Sequence, residues 1–121
     1  MSDKKKRGDH AEELAAAYLQ SCGCTILERN WRFSRAEIDI IAMDDKVLVI
    51  TEVKSRSYTA FGHPEESISK YKENLIIDAA GRYMEKIQHD WEVRFDIISI
   101  VFDKKGGYEI KHYKDAFFPG L

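Results

Sequence analysis

The sequence predicts a mixed α/β domain with the element order α-β-β-β-α-β-β. Two stretches, Ala11–Leu19 and Ile68–Tyr83, carry apolar residues at helical spacing. Two β-branched runs, Glu37–Met43 and Lys46–Lys54, flank Asp44-Asp45 in the manner of a tight antiparallel hairpin. A further buried run, Trp91–Phe102, follows the second helix, so the strands form one sheet with helices packed on it. A chain of 121 residues is one domain at the usual size, expected over residues 9–121 behind a mobile basic tail of residues 1–8.

The first helix is expected from Asp9 to Ser21, with Asp9 as N-cap and Gly23 as its stop. An extended piece, Ile26–Phe33, leads into the hairpin. With Met43 opposite Lys46, Asp39 lies opposite Ile50 and Glu37 opposite Glu52. One face then carries Glu37, Asp39, Ile41, Met43, Leu48, Ile50, Glu52 and Lys54. The other carries Ile38, Ile40, Ala42, Val47, Val49, Thr51 and Val53. Both faces are largely apolar, as in central strands covered on both sides. The second helix is expected from Glu65 to about Lys86, after Gly62-His63-Pro64, with Ile68, Tyr71, Leu75, Ile76, Ala79, Ala80 and Tyr83 as its stripe. A turn at Gly106-Gly107 then opens an edge strand, Tyr108–Tyr113.

Several classes are excluded. Nineteen Lys and Arg against 21 Asp and Glu leave a net charge of −2, so the chain has no global electrostatic footprint for nucleic acid. Any such binding must use a local patch, such as Arg29, Arg32 and Arg35 with Trp31 and Phe33. No apolar run approaches the roughly twenty residues of a membrane span. The basic head has no signal-like apolar segment behind it, and a cytoplasmic protein is expected. Cys22 and Cys24 read as small hydrophobes at a helix end, since no histidine lies at finger-like spacing from them.

The chemistry lies in the hairpin. Buried carboxylates are costly unless paired or bound to a metal. Glu37, Asp39, Glu52 and Lys54 project from one end of one face of otherwise apolar strands. Such a pocket is a cradle for a hard cation, Mg²⁺ or Mn²⁺, held by one or two carboxylates with water and substrate phosphate. Lys54 is placed to orient or deprotonate water, or to offset charge on phosphate oxygens. A lone Glu-x-Lys on a strand is ordinarily a structural ion pair; two carboxylates on the facing strand argue for more. Lys72 falls on the apolar stripe of the second helix, so it either snorkels to solvent or meets acidic partners. Spacing leaves two roles open for Glu12, capping-box partner of Asp9 or member of the site.

An aspartate on one strand followed by Glu-x-Lys on the next, here Asp39 and Glu52-Val53-Lys54, resembles the PD-(D/E)XK nuclease signature. The wider text is more specific: Ala11–Leu19, Glu37–Ala42, Glu52–Arg56, Phe61–Glu65, Lys72, Arg94–Asp96 and Ala116-Phe117. It resembles the YraN family of small bacterial proteins, which are similar to Holliday junction resolvases. The resemblance implies a restriction-endonuclease-like sheet, Asp39 and Glu52 as metal carboxylates, Lys54 as the motif lysine and Glu12 as a first-helix acid joining them. Lys72 matches a family helix lysine and Arg56 the arginine after Glu-Val-Lys. Ala11 and Ala36 stand where the family usually has glycine. The function expected is a Mg²⁺- or Mn²⁺-dependent nuclease on branched or processed DNA. Arg35, Arg56 and Lys72 hold phosphates, Glu37 supports the site, and a homodimer is implied by similarity to resolvases. The rival is a nucleic-acid-binding or scaffold protein that keeps the fold without catalysis.

Overall fold

A computed structural model describes residues 3–57 and 67–117. The elements are α1 (Asp3–Ser21), β1 (Thr25–Phe33), β2 (Ala36–Asp44), β3 (Val47–Ser57), α2 (Lys70–Ile87), β4 (Val93–Phe102) and β5 (Tyr108–Phe117). The order is the expected one. The strands lie in the sheet as they follow in sequence, β1 to β5, with β1 and β5 at the edges. Neighbours are antiparallel except β3 and β4, which run parallel because α2 carries the chain back between them.

One helix covers each face. Ala11, Ala15 and Leu19 of α1 pack on Ile40, Ala42, Val49, Ile98 and Ile100. Small side chains on that helix let it lie close to the sheet. On the opposite face Ile76, Ala79, Ala80 and Tyr83 of α2 pack on Ile38, Ile41, Leu48, Ile50, Phe95 and Ile97. Strands covered on both sides must be apolar on both faces, which explains the unbroken runs in β2, β3 and β4. No helix among the described residues is long and apolar enough to cross a membrane.

The helix ends differ from expectation at their starts. α1 begins at Asp3, so residues 3–8 are helical and Asp9 lies inside the helix rather than at its cap. Lys4 to Arg7 are good helix formers with no breaker before them, so the helix extends through the basic run. Its end is as expected. Gly23, at φ 94°, donates to Gln20 O while Cys24 donates to Leu19 O, a Schellman closure that favours glycine. α2 starts at Lys70, not Glu65. Ser69 is its cap, with Oγ accepting the Lys72 N–H, and residues 67–69 are not helical. Ile68 still packs on the core from outside the helix, whereas Tyr71 is exposed. Phe61–Glu65 lies outside the described residues.

The β2–β3 register also differs. Asp44 pairs with Val47, Ile41 with Ile50 and Ile40 with Thr51, so Asp45-Lys46 forms the turn and Asp39 comes level with Glu52. Asp45, at φ 54°, supplies the left-handed residue the turn needs. Strict alternation fails as well: Ile40 and Ala42 face α1, but Ile38 and Ala36 face α2 with Ile41. The switch falls at Asp39. Its neighbour across β1 is Asn30, which lies between the pairs Arg29–Ile40 and Trp31–Ile38 and is left-handed at φ 54°. A residue in that conformation turns the strand and re-aims the side chains beyond it.

Candidate metal and phosphate site

Asp39 stands where β2 leaves β3. Ile40–Thr51 is the last β2–β3 pair described, while β3 continues along β4 to Ser57. Past that point the Asp39 carboxylate takes over from the ladder, its Oδ2 accepting the Val53 N–H at 2.8 Å. Glu52, on the adjoining residue of β3, is only 2 % exposed. Its Oε2 lies 3.5 Å from Lys72 Nζ on α2, and its Oε1 has no hydrogen-bond partner. The expected encounter between the helix lysine and the acidic pocket therefore takes place. Lys54 follows Glu52 by two residues, on the same face of β3 and half-buried.

Glu12 reaches the fork from α1. It lies 3.9 Å from Arg29 Nη2 and shares a hydrogen bond with Asn30, and the Asp39 charge acts on it. With Asp9 inside the helix, Glu12 is not its capping-box partner. Glu37 is turned to Arg32, 2.7 Å away across the β1–β2 pair, and acts on Asp39 and Glu12 only through its charge. Arg35 is exposed in the β1–β2 turn and Arg56 is exposed on β3, both at the open end of the fork. In the sequence patch Arg29 and Arg32 are thus matched with Glu12 and Glu37, and Trp31 and Phe33 pack on the α2 core.

The electrostatics follow from burial. Glu52 is pushed up from 4.5 to about 8, by burial first and then by the Asp39 charge, against the pull of Lys72. Asp39 is raised as well, chiefly by burial, although the Val53 N–H and Lys72 favour its charged form. Glu12 is raised by burial and by Asp39. Two adjacent carboxyls each favour the protonated form of the other, and a cation between them would relieve that repulsion. The residues fit a divalent ion in this sense: Glu52 Oε1 is a buried acceptor awaiting a donor or a metal, and Asp39 is adjacent. No set of three or more His, Cys, Asp or Glu among the described residues is arranged to hold an ion by itself. Two carboxylates completed by water and phosphate is how Mg²⁺ is usually bound.

Two features escaped sequence reasoning. Asn30 is one; an asparagine inside a strand tolerates the left-handed region and is the available signal. The other is Asp96, fully buried on β4 beside Thr51. Its carboxylate takes three bonds from Arg94, one from His112 Nε2 at 2.7 Å and one from the Asp115 N–H. His112 in turn meets Tyr18 OH at 3.2 Å. Burial alone would raise Asp96, but His112, Arg94 and the Asp115 amide outweigh it and hold the carboxyl below its ordinary range.

The architecture and the acidic fork define a two-helix, five-stranded mixed-sheet protein in which the buried Glu52 adjoins the part-buried Asp39. Residues 11–100 match the model of the uncharacterised protein family UPF0102. Among similar proteins, UPF0102 protein FP2501 of Flavobacterium psychrophilum is 41 % identical over 118 residues, spanning 98 % of each chain. A UPF0102 protein of Bacteroides thetaiotaomicron is 42 % identical over 121 residues, covering 100 % of this chain and 99 % of its own. One from Chlorobaculum parvum is 44 % identical over 116 residues, covering 91 % and 90 %. The chain belongs to the UPF0102 family, the YraN family of the sequence resemblance.

Proposed function

We propose that this protein is a Mg²⁺- or Mn²⁺-dependent phosphodiester hydrolase acting on DNA, an endonuclease of branched or processed structures. The observation that carries the reading is the orphaned Glu52 Oε1 beside Asp39 in the β2–β3 fork. A buried acceptor without a partner is costly, and keeping two carboxyls together there makes sense when they have a cation to bind. Bound between them, the ion would polarise the phosphodiester and make water a better nucleophile. Lys54 then orients water or offsets charge on the phosphate, Lys72 draws the phosphate toward the fork, and Arg35 and Arg56 guide the flanking backbone. Glu12 holds Arg29 against the first helix and adds negative charge to the cradle.

A second reading, a nucleic-acid-binding or scaffold protein without catalysis, draws on one observation. Lys72 already gives Glu52 a counter-ion at 3.5 Å, so the pair can persist without metal. Calorimetric titration with Mg²⁺ and Mn²⁺ separates the two, with cleavage of four-way, flapped and single-stranded DNA assayed alongside. Asp39→Asn is the control, since the amide oxygen can still accept the Val53 N–H. Binding and cleavage in the wild type that both vanish in the variant support the hydrolase. A folded wild type that takes up no metal and cuts nothing sinks it and leaves the binding protein.

A further inference from the structure

The carboxyl end of the parallel pair β3 and β4 carries a polar and aromatic surface that the acidic fork does not use. Arg7, in the early part of α1, donates from Nη1 to Ser57 Oγ at 2.7 Å. Its Nε is buried without a partner, and so is the Ser55 hydroxyl. Ser55 and Ser57 are two residues apart on one strand, so their side chains share the α1 face at a spacing of roughly 7 Å. Both orphaned groups are donors, and a donor buried without an acceptor is unfavourable. An anion with several oxygens satisfies both, and a phosphodiester suits the planar guanidinium.

Beside them lies a shelf of rings. His10 stacks on Phe102 with centroids 5.7 Å apart and planes 22° from parallel, and Tyr108 leans on Phe102 at 6.2 Å. Phe102 is the register partner of Ser57, so the rings and Arg7 occupy one corner of the sheet. His10 and Tyr108 are exposed, as are Lys5 and Lys6 on the same helix as Arg7. Ligands of open α/β sheets gather at the carboxyl ends of parallel strands, which is where this corner sits.

We infer that this corner binds a single-stranded segment of DNA, with Arg7 and Ser55 on a backbone phosphate and unpaired bases stacked on the His10–Phe102–Tyr108 shelf. The inference rests on the nucleic-acid reading above and names the substrate class for it. Aromatic shelves with basic neighbours suit single strands, because a duplex keeps its base faces covered. The shelf and the fork lie on opposite faces of the sheet, Ser55 and Ser57 toward α1 and Glu52 toward Lys72 of α2, so the shelf is a contact for the unpaired strand separate from the fork. The substrate class is DNA with an unpaired segment.

The test is fluorescence anisotropy of the full chain in EDTA, where no cleavage occurs, with a labelled mixed-sequence oligonucleotide and its duplex as probes. The wild type should prefer the single strand. Arg7→Gln should weaken that binding roughly tenfold and reduce the salt slope by about 0.7, the share of one phosphate contact. His10→Ala should cost roughly five- to tenfold on the single strand and leave the duplex unchanged. Ser55→Ala removes an unpartnered hydroxyl without touching the Arg7–Ser57 link, so it carries the test if thermal melting shows that Arg7→Gln loosens α1. Variants that bind the single strand as the wild type does overturn the inference, with water as the partner of Arg7 and Ser55. In that case metal-dependent cleavage still stands or falls on Asp39→Asn. A wild type that binds no DNA in EDTA but cleaves with Mg²⁺ overturns the shelf and leaves the hydrolase; one that does neither removes both.

Discussion

Replacing Glu52 by glutamine should stabilise the protein, and the gain should grow with pH. The glutamine resembles the protonated acid in shape and carries no charge into the fork. An unfolded Glu52 ionises near its ordinary 4.5, whereas the folded one ionises at about 8. Between those values the native state holds a proton that the unfolded chain has released, so wild-type stability falls as pH rises through the window. At about 1.4 kcal/mol per tenfold, the difference is under about 1 kcal/mol at pH 5, about 3 at pH 7 and about 5 above pH 8. For a domain of this size that is on the order of 10 °C in Tm at neutral pH. Melting curves of wild type and Glu52→Gln in EDTA from pH 5 to pH 9 measure it directly. A Tm difference that stays flat across that range, or a glutamine variant less stable at pH 8, would refute the reasoning. Lys72 would then satisfy the charged carboxylate after all.

Cation binding should be proton-linked: Mn²⁺ or Mg²⁺ affinity should rise by up to about tenfold per pH unit between pH 6 and 8, read by calorimetry in buffers of different ionisation enthalpy. Lys72→Gln should tighten Mn²⁺ binding several-fold by removing a positive charge 3.5 Å from Glu52, yet slow cleavage; unchanged affinity would place the cation elsewhere. Asp96→Asn should cost about 3–5 kcal/mol in urea unfolding at pH 7, since Arg94 and His112 would lose a buried charged partner. Because Asp96 is held below its ordinary range, its contribution is present above the ordinary carboxylate pKa and fades as pH falls through the folded value, so the variant's deficit should shrink in acid. Gly23→Ala, forced into φ 94°, should lose about 1–2 kcal/mol by the same assay.

Most of the fold was legible because the chain punctuates itself. Gly23 and Gly106, both left-handed, end α1 and turn β4 into β5 where expected. The covered strands carry apolar runs that solvent-facing strands would lack. Starts were harder to read, since nothing stops helix formation in Lys4–Arg7 and the Ser69 cap is one polar residue among several. The hairpin register slipped by two places because Asp44, Asp45 and Lys46 all suit a turn. A slip of two keeps β3 side chains on their faces, so Asp39 and Glu52 still meet, with other partners opposite than expected. Alternation could not foresee the switch at Asp39, which depends on an asparagine one strand away. Glu12 and Lys72 were visible as charges on apolar stripes; Asp96 was not, because its partners Arg94, His112 and Asp115 come together only in the folded sheet.

Glu52 and Asp96 show two opposite treatments of a buried acid within one sheet. They lie on adjacent parallel strands, with Thr51 paired to Asp96 and Glu52 to Ile97, and both are buried. Around Asp96 a guanidinium, an imidazole and an amide fill its acceptor sites, and the carboxyl is held low. Around Glu52 one oxygen is left empty, a second carboxylate stands alongside, and the carboxyl is driven high. Burial is common to both, so the difference lies in the partners. Asp96 has its acceptor sites filled while Glu52 keeps one oxygen without a partner beside a second carboxylate, which is the contrast on which the proposed cation site rests. Removing the two carboxylates should accordingly change stability with opposite signs at neutral pH, downward for Asp96→Asn and upward for Glu52→Gln. Only the second should abolish metal uptake.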